Sequence, residues 1–92
     1  MGLESLDIAL SLEEEFGIEL AGRIVLDIDT VGDLQAEVLR RLEVARATTG
    51  TPAADPIEIR ERVVQILARE LGIDREIIRP DQRLIVDLGM DA

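Results

Sequence analysis

Apolar residues recur at helical spacing over most of the chain, and this pattern predicts an all-α fold. A first amphipathic helix is predicted over residues 3–16. A second long helix is predicted to begin at Thr30, a good N-cap residue, because Asp33 three residues later gives a capping-box-like start. One or two helical turns are predicted between them, over residues 23–28. The apolar positions of the first helix are Leu3, Leu6, Ala9, Leu10 and Phe16.

A third long helix begins at Asp55, a capping residue. Pro56 suits the first helical position, Glu58 is placed to close a capping box, and Gly72 is a typical left-handed stop. Residues 44–54 lack apolar periodicity and contain Thr, Gly and Pro, so they predict a linker. The predicted buried face of this helix consists of Ile59, Val63, Ile66, Leu67 and Leu71.

Residues 74–92 are too apolar for an exposed tail, and we expect this loop to lie across the helices. Its aliphatic residues, which would be costly to expose, are Ile77, Ile78, Leu84, Ile85, Val86 and Leu88. Loop and helices together predict one core, formed mainly by Leu6, Leu12, Phe16, Leu20, Val25, Ile28, Leu34, Val38, Val63, Ile66 and Leu84.

Composition narrows the possible functions of this small acidic domain, which has 92 residues and a formal net charge of −10. With one Phe and no Trp or Tyr, the chain has almost no aromatic rings on which bases could stack. Its negative charge also repels phosphate, so no nucleic acid is expected as a partner. Without Cys or His, the usual nucleophile–base pairs and zinc sites are impossible, so we expect no enzyme, no catalytic residue and no metal. No apolar run is long enough for a membrane span and no basic leader opens the chain, which predicts a cytoplasmic protein.

Four segments resemble parts of one protein family. Residues 57–73 resemble its first helix, and residues 84–91, with Asp87-Leu88-Gly89-Met90-Asp91, resemble the end of its long loop. Residues 3–16 resemble its acidic recognition helix, and residues 29–31 the start of its fourth helix. The family is that of the acyl carrier proteins.

The resemblance implies a small four-helix bundle of acyl-carrier type, with helix order 2-3-4-1 along the chain. The single carrier-like domain then has helices 2 to 4 in residues 1–43, a linker in 44–54, and helix 1 with the long loop in 55–92.

In this family a serine follows the Asp-Leu-Gly-x-Asp motif and carries 4′-phosphopantetheine, and two alignments place that serine differently. In one, Ser5 is the attachment residue, but it lies nearly one helical turn too close to Phe16 for the family spacing. In the other, the serine position lies between Asp91 at the end of the chain and Leu3 at its beginning. Ala92 occupies this position at one end and Gly2 at the other. We prefer the second, which implies a circular permutation at the attachment site and a chain without the prosthetic group.

The resemblance also implies a role in fatty-acid or polyketide-type biosynthesis, with docking on basic surfaces of acyl-processing enzymes and of the phosphopantetheinyl transferase. The candidate docking residues are Glu4, Asp7, Glu13, Glu14 and Glu15. The alternative is an acidic helical interaction module without a prosthetic group. The protein is expected to be a monomer, or a domain-swapped dimer if the linker extends.

Overall fold

The computed structural model describes residues 4–20, 28–50 and 55–89. Within these ranges every regular element is helical. Helix α1 spans Glu4–Phe16, α2 spans Val31–Thr49, α3 spans Pro56–Leu71, and a 3-10 turn, η1, spans Arg75–Ile77. The predicted all-α class is therefore confirmed. The helical turns predicted over residues 23–28 lie almost entirely outside the described residues, so the four-helix bundle stays a prediction.

The start of α2 is fixed by the predicted capping box. Thr30 Oγ1 accepts the backbone N–H of Asp33 at 3.1 Å, and the Asp33 carboxylate accepts the backbone N–H of Thr30 at 3.3 Å. These two bonds satisfy donors that have no partner within a helix.

Helix α3 begins at its predicted cap, but with a different bond. Asp55 accepts the N–H of Ile57 at 2.9 Å, one residue before the N–H of Glu58 that the predicted capping box would use. Pro56 occupies the first helical position, where a missing N–H leaves no helical bond unmade. Gly72 ends the helix as predicted, with a left-handed φ of 68°.

Helix α2 is longer than the sequence predicted and includes the first part of the predicted linker. The helix continues through residues 44–49 to Gly50, which donates its N–H to the carbonyl of Arg46 at 2.7 Å. Apolar periodicity fades over this last part of α2, where Val44 is exposed. Ala and Arg have high intrinsic helix propensity and do not need a contact with the core. The rest of the predicted linker, residues 51–54, lies outside the described residues.

Helix α3 is the centre of the core, because it packs against both α1 and α2. Leu71, the end of its predicted face, is half-buried against the core. The buried residues of α3 are Ile59, Val63, Val64, Ile66 and Leu67. On α2, Gln35 is a buried polar residue whose Nε2 donates to the carbonyl of Arg60 in α3 at 3.1 Å.

The face of α1 that enters the core differs from the predicted stripe. Ile8, Ala9 and Leu12 are buried, whereas Leu6 and Leu10 are 46% and 49% exposed. Leu6 and Leu10 extend the apolar side of this helix beyond Ile8 and Leu12, so periodicity alone does not select the part that meets α3. The prediction of Leu6 as a core residue is wrong. Two other predicted apolar positions, Leu3 and Val25, lie outside the described residues.

The C-terminal loop packs on the start of α2, as predicted in general outline. Ile78 and Leu84 are buried and Leu88 is half-buried against the core. Ile77, Ile85 and Val86 are exposed, so the prediction that they are covered is wrong. They lie in tight turns, where successive side chains point in different directions and only some of them reach the core. The part of the chain that the structure describes contains no helix long and apolar enough to cross a membrane.

Candidate docking face and attachment segment

The exposed side of α1 combines acidic and apolar side chains. Asp7 and Glu14 are exposed, and Leu6 and Leu10, which lie beside them, are about half exposed. Their spacing places all four on one side of the helix. We call this set, Leu6, Asp7, Leu10 and Glu14, the docking face. Such a face suits a basic partner surface that also offers apolar contacts.

The two leucines of the docking face are functional candidates that the sequence reasoning missed. Leu6 was assigned to the core, and Leu10 was assigned to the apolar side of the helix, because both continue its apolar spacing. The signal that separates them is the position of Ile8 and Leu12, which form a second apolar pair two residues further along. A helix with two apolar pairs can bury only one of them against a single neighbour.

Glu13, a predicted docking residue, bonds to the segment that follows α1. Its Oε2 accepts the backbone N–H of Leu20 at 2.9 Å, and its carbonyl accepts the N–H of Gly17 at 2.8 Å. Gly17 has a left-handed φ of 66° that turns the chain, and Leu20 is buried. The side chain of Glu13 thus joins the end of α1 to a buried loop residue, and is half-buried in doing so.

Glu15, another predicted docking residue, faces α3 and forms an ion pair with Arg62 at 3.4 Å. A second contact joins the same helices, where Ser11 Oγ donates to Glu70 Oε2 at 3.2 Å. As the residue number rises along α1 it falls along α3, so the two helices run antiparallel. The start of α1 therefore lies at the end of α3 from which the C-terminal loop leaves.

That loop is fastened to the start of α2 by the backbone. Leu84 donates its N–H to the carbonyl of Asp29 at 2.8 Å, and Val31 donates to the carbonyl of Gln82 at 2.9 Å. Thr30 and Arg83 form an antiparallel bridge between these bonds. The side chain of Arg83 also approaches the Asp29 carboxylate, Nε to Oδ2 at 3.5 Å.

Residues 83–89 form a compact turn, which we call the lead-in turn, directly before Met90 and Asp91. Asp87 Oδ2 accepts the N–H of Arg83 at 2.7 Å, and the carbonyl of Arg83 accepts the N–H of Asp87 at 3.0 Å and of Leu88 at 3.1 Å. Gly89 ends the turn with a left-handed φ of 73°. The Asp-Leu-Gly motif is therefore an ordered element with its own hydrogen bonds.

The remaining candidate residues lie at or beyond the limits of the described chain. Glu4 and Ser5 begin α1, which puts Ser5 inside the helix rather than before it. Four predicted attachment residues lie outside the described residues: Gly2, Leu3, Asp91 and Ala92. Within the described ranges, no group of three or more acidic residues is placed to hold a metal ion.

Comparison with known proteins gives a partial match. A stretch of 38 residues is 40% identical to a protein of Syntrophobacter fumaroxidans. That relative is an acyl carrier protein. The stretch covers 41% of this chain and 47% of the relative, so the chain spans about half the length of the curated relative it matches. No family model matches the chain, and no solved structure matches it.

Proposed function

We propose that the protein is a carrier-like domain related to the acyl carrier proteins, without catalytic activity of its own. The observation that carries this proposal is the antiparallel packing of α1 on α3, seen in the Ser11–Glu70 and Glu15–Arg62 contacts. It brings the start of α1 to the end of the bundle from which the loop with the Asp-Leu-Gly motif departs. These are the two segments that resemble the family's recognition helix and its lead-in. The 38-residue similarity to an acyl carrier protein supports the same assignment.

The attachment position in this proposal lies between Asp91 and Leu3, so that the family's segments follow in the order 2-3-4-1. A helix N-terminus at this position would favour a phosphodiester through its free N–H groups and its dipole. Ala92 and Gly2 occupy the serine position, and neither has a hydroxyl. They do not fit a phosphodiester-linked group, and this chain is expected to take no 4′-phosphopantetheine.

The partners in this proposal are enzymes with basic surfaces that recognise carrier proteins. The docking face offers Asp7 and Glu14 for long-range attraction and Leu6 and Leu10 for contact after water is excluded. Opposite charge raises the rate of encounter, whereas the leucines add affinity once the surfaces meet. Such partners serve acyl shuttling in the family, and this chain, which lacks an attachment serine in this proposal, is expected to bind them in the cytoplasm without carrying an acyl group.

The alternative function, an interaction module that never had an attached group, is favoured by the same docking face. An acidic and apolar helix side binds a basic partner with or without a prosthetic arm. The two functions differ in the lead-in turn. A simple interaction module has no need of an ordered turn with the Asp-Leu-Gly motif, which resembles the family's lead-in to its attachment serine.

A phosphopantetheinyl transferase assay with coenzyme A and intact-mass detection tests the proposal. The native chain is expected to stay unmodified. Gly2→Ser, which restores Ser-Leu-Glu-Ser-Leu, or Ala92→Ser, which restores Asp-Leu-Gly-Met-Asp-Ser, is expected to gain the mass of the group. Ser5→Ala in these backgrounds is the control and should leave the gain unchanged.

Two results would overturn parts of the proposal. A mass gain on the native chain that disappears in Ser5→Ala would overturn the alignment and keep the carrier function. No gain in any variant, together with no binding to a ketosynthase or to the transferase, would overturn the carrier function. Binding that is retained only by unrelated basic proteins would then favour the interaction module.

A further inference from the structure

We infer that Asp87 is a positioning residue, which sets the direction of the chain from the lead-in turn to the attachment position. This inference rests on the proposed function. It starts from two hydrogen bonds that join Asp87 and Arg83 in opposite senses. The Asp87 carboxylate accepts the N–H of Arg83 at 2.7 Å, while the N–H of Asp87 donates to the carbonyl of Arg83 at 3.0 Å. Asp87 thus closes the turn with both its side chain and its backbone.

The base of the turn is held by the rest of the fold. Leu84 is almost fully buried, and its N–H donates to the carbonyl of Asp29 at 2.8 Å. Because Arg83 is also bridged to Thr30, the first residues of the turn have little freedom to move relative to α2. The bonds of Asp87 therefore transmit a fixed orientation from α2 to the end of the turn.

The far end of the turn depends on the same closure. Leu88 donates its N–H to the carbonyl of Arg83 at 3.1 Å, and Gly89 donates to the carbonyl of Ile85 at 3.1 Å. Gly89 is the last residue of this loop that the structure describes, so these bonds fix the direction in which the described turn ends. Without the carboxylate, the N–H of Arg83 loses its acceptor, and only the backbone bonds to the carbonyls of Arg83 and Ile85 still close the turn.

Burial does not explain this carboxylate, because Asp87 is exposed. An exposed carboxylate that only improved solubility would have no reason to bond the main chain of a residue four positions earlier. A charge that only attracted a partner would not need that bond either. The short Asp side chain, bonded at 2.7 Å, matches a role in which geometry matters more than charge.

Amide exchange and NMR chemical shifts of the whole chain give the first test. In Asp87→Ala we expect the amides of Leu88 and Gly89 to shift and the amide of Arg83 to exchange about tenfold faster, as loss of a charge-assisted bond implies. Asp87→Asn keeps an acceptor oxygen and should keep both properties. The amides of α1 to α3 serve as the control for folding. Unchanged signals of Leu88 and Gly89 in Asp87→Ala would overturn the inference.

The second test measures modification by a phosphopantetheinyl transferase in the Gly2→Ser background. Asp87→Ala is expected to lower kcat/KM about tenfold, mainly through kcat, while Asp87→Asn stays close to the background. An equal loss in both variants would mean that the transferase reads the charge, and it would overturn the positioning role. An unchanged rate in Asp87→Ala would overturn it as well.

The two tests separate this inference from the proposed function. If neither the Gly2→Ser nor the Ala92→Ser variant is modified at all, the proposed attachment position fails. The NMR comparison of Asp87→Ala with Asp87→Asn still decides whether Asp87 orients the turn. If either serine variant is modified and Asp87→Ala has no effect on its rate, the proposed function stands and the role of Asp87 is wrong.

Discussion

Gly32 donates its backbone N–H to the carbonyl oxygen of Pro80 at 2.8 Å, and a Cβ on Gly32 would lie 3.0 Å from that same oxygen. The glycine lets the C-terminal loop approach the first turn of α2 this closely. The obstacle is backbone, held on both sides by hydrogen bonds, and not the end of a flexible side chain. The contact therefore leaves no room at position 32 for a larger residue unless the loop shifts.

We expect Gly32→Ala to lower the free energy of unfolding by about 1 kcal/mol in urea titrations. Displacing packed backbone costs about 1–3 kcal/mol, and the better helix propensity of Ala offsets about 0.5–1 kcal/mol of it. Ala36→Gly, at an exposed position of the same helix, is the control and should cost only the propensity difference, about 0.5–1 kcal/mol. A Gly32→Ala variant that is more stable than the parent would contradict this prediction and show that the loop around Pro80 shifts without cost.

Leu10 and Leu12 form a matched pair that tests which side of α1 is buried. Leu12 is fully buried and Leu10 is half exposed. Leu12→Ala is expected to destabilise the protein by about 2–5 kcal/mol through lost contacts and a cavity. Leu10→Ala should stay within about 0.5 kcal/mol of the parent. Both variants can be measured by thermal or urea unfolding. An equal loss of unfolding free energy in the two, or a larger loss in Leu10→Ala, would contradict the assigned face.

Glu13 and Glu14 are adjacent acids with different expected roles. Glu13→Ala removes the acceptor for the N–H of Leu20, and we expect a loss of about 1.5–3 kcal/mol, the usual range for a bond to a charged group. Glu14→Ala, at an exposed position, should change stability by less than about 0.5 kcal/mol. Glu13→Gln retains an acceptor oxygen and should recover most of the stability. Urea titrations of the three variants would refute the assignment if Glu14→Ala were the most harmful.

The ionisation of Glu37 should make the free energy of unfolding depend on pH. Burial raises its pKa, but hydrogen bonds and charge attraction from Arg40 and Arg41 outweigh burial, so the pKa lies below its ordinary value of 4.5. A pKa that is lower in the folded state stabilises the protein above the unfolded value, and this contribution is lost as the pH falls through the folded value.

The comparison of the parent with Glu37→Gln measures this contribution. Above pH 4.5 the parent should be the more stable by less than about 1 kcal/mol, as expected for two helix-surface pairs. The difference in unfolding free energy should shrink on further acidification, because protonated Glu37 and Gln are both neutral. A difference that stayed constant or grew in acid would contradict the assigned ion pairs.

Local chemistry made the helix starts and one helix stop predictable. Thr30 and Asp55 cap their helices through their own side chains, and Gly72 takes the backbone conformation that few other residues adopt. The end of α2 was missed because its last turns touch little of the core. Their helicity comes from propensity and from the cap at Gly50, neither of which leaves an apolar pattern.

The candidate site was less predictable, because it depends on how elements meet. The acidic run predicts a docking role for α1, yet only the packing shows that Glu13 bonds to Leu20 and that Glu15 pairs with Arg62. The exposure of Leu6 and Leu10 has the same origin, since the position of α3 decides it. The hydrogen bond of Asp87 to Arg83 links residues close in sequence, but nothing in the motif itself specifies that bond.

The charges of the docking face should act on association and not on folding. Asp7→Asn with Glu14→Gln is expected to slow binding to a carrier-recognising ketosynthase about tenfold or more at low salt, because exposed charges steer encounter. The control is Glu43→Gln combined with Glu58→Gln. These two acids are exposed and lie outside the docking face, and the double substitution removes the same total charge. If the face itself is recognised, this control should slow association much less, and the difference should shrink as salt screens the charges. Equal slowing in both double variants, measured by stopped-flow or surface plasmon resonance, would mean that net charge alone attracts the partner.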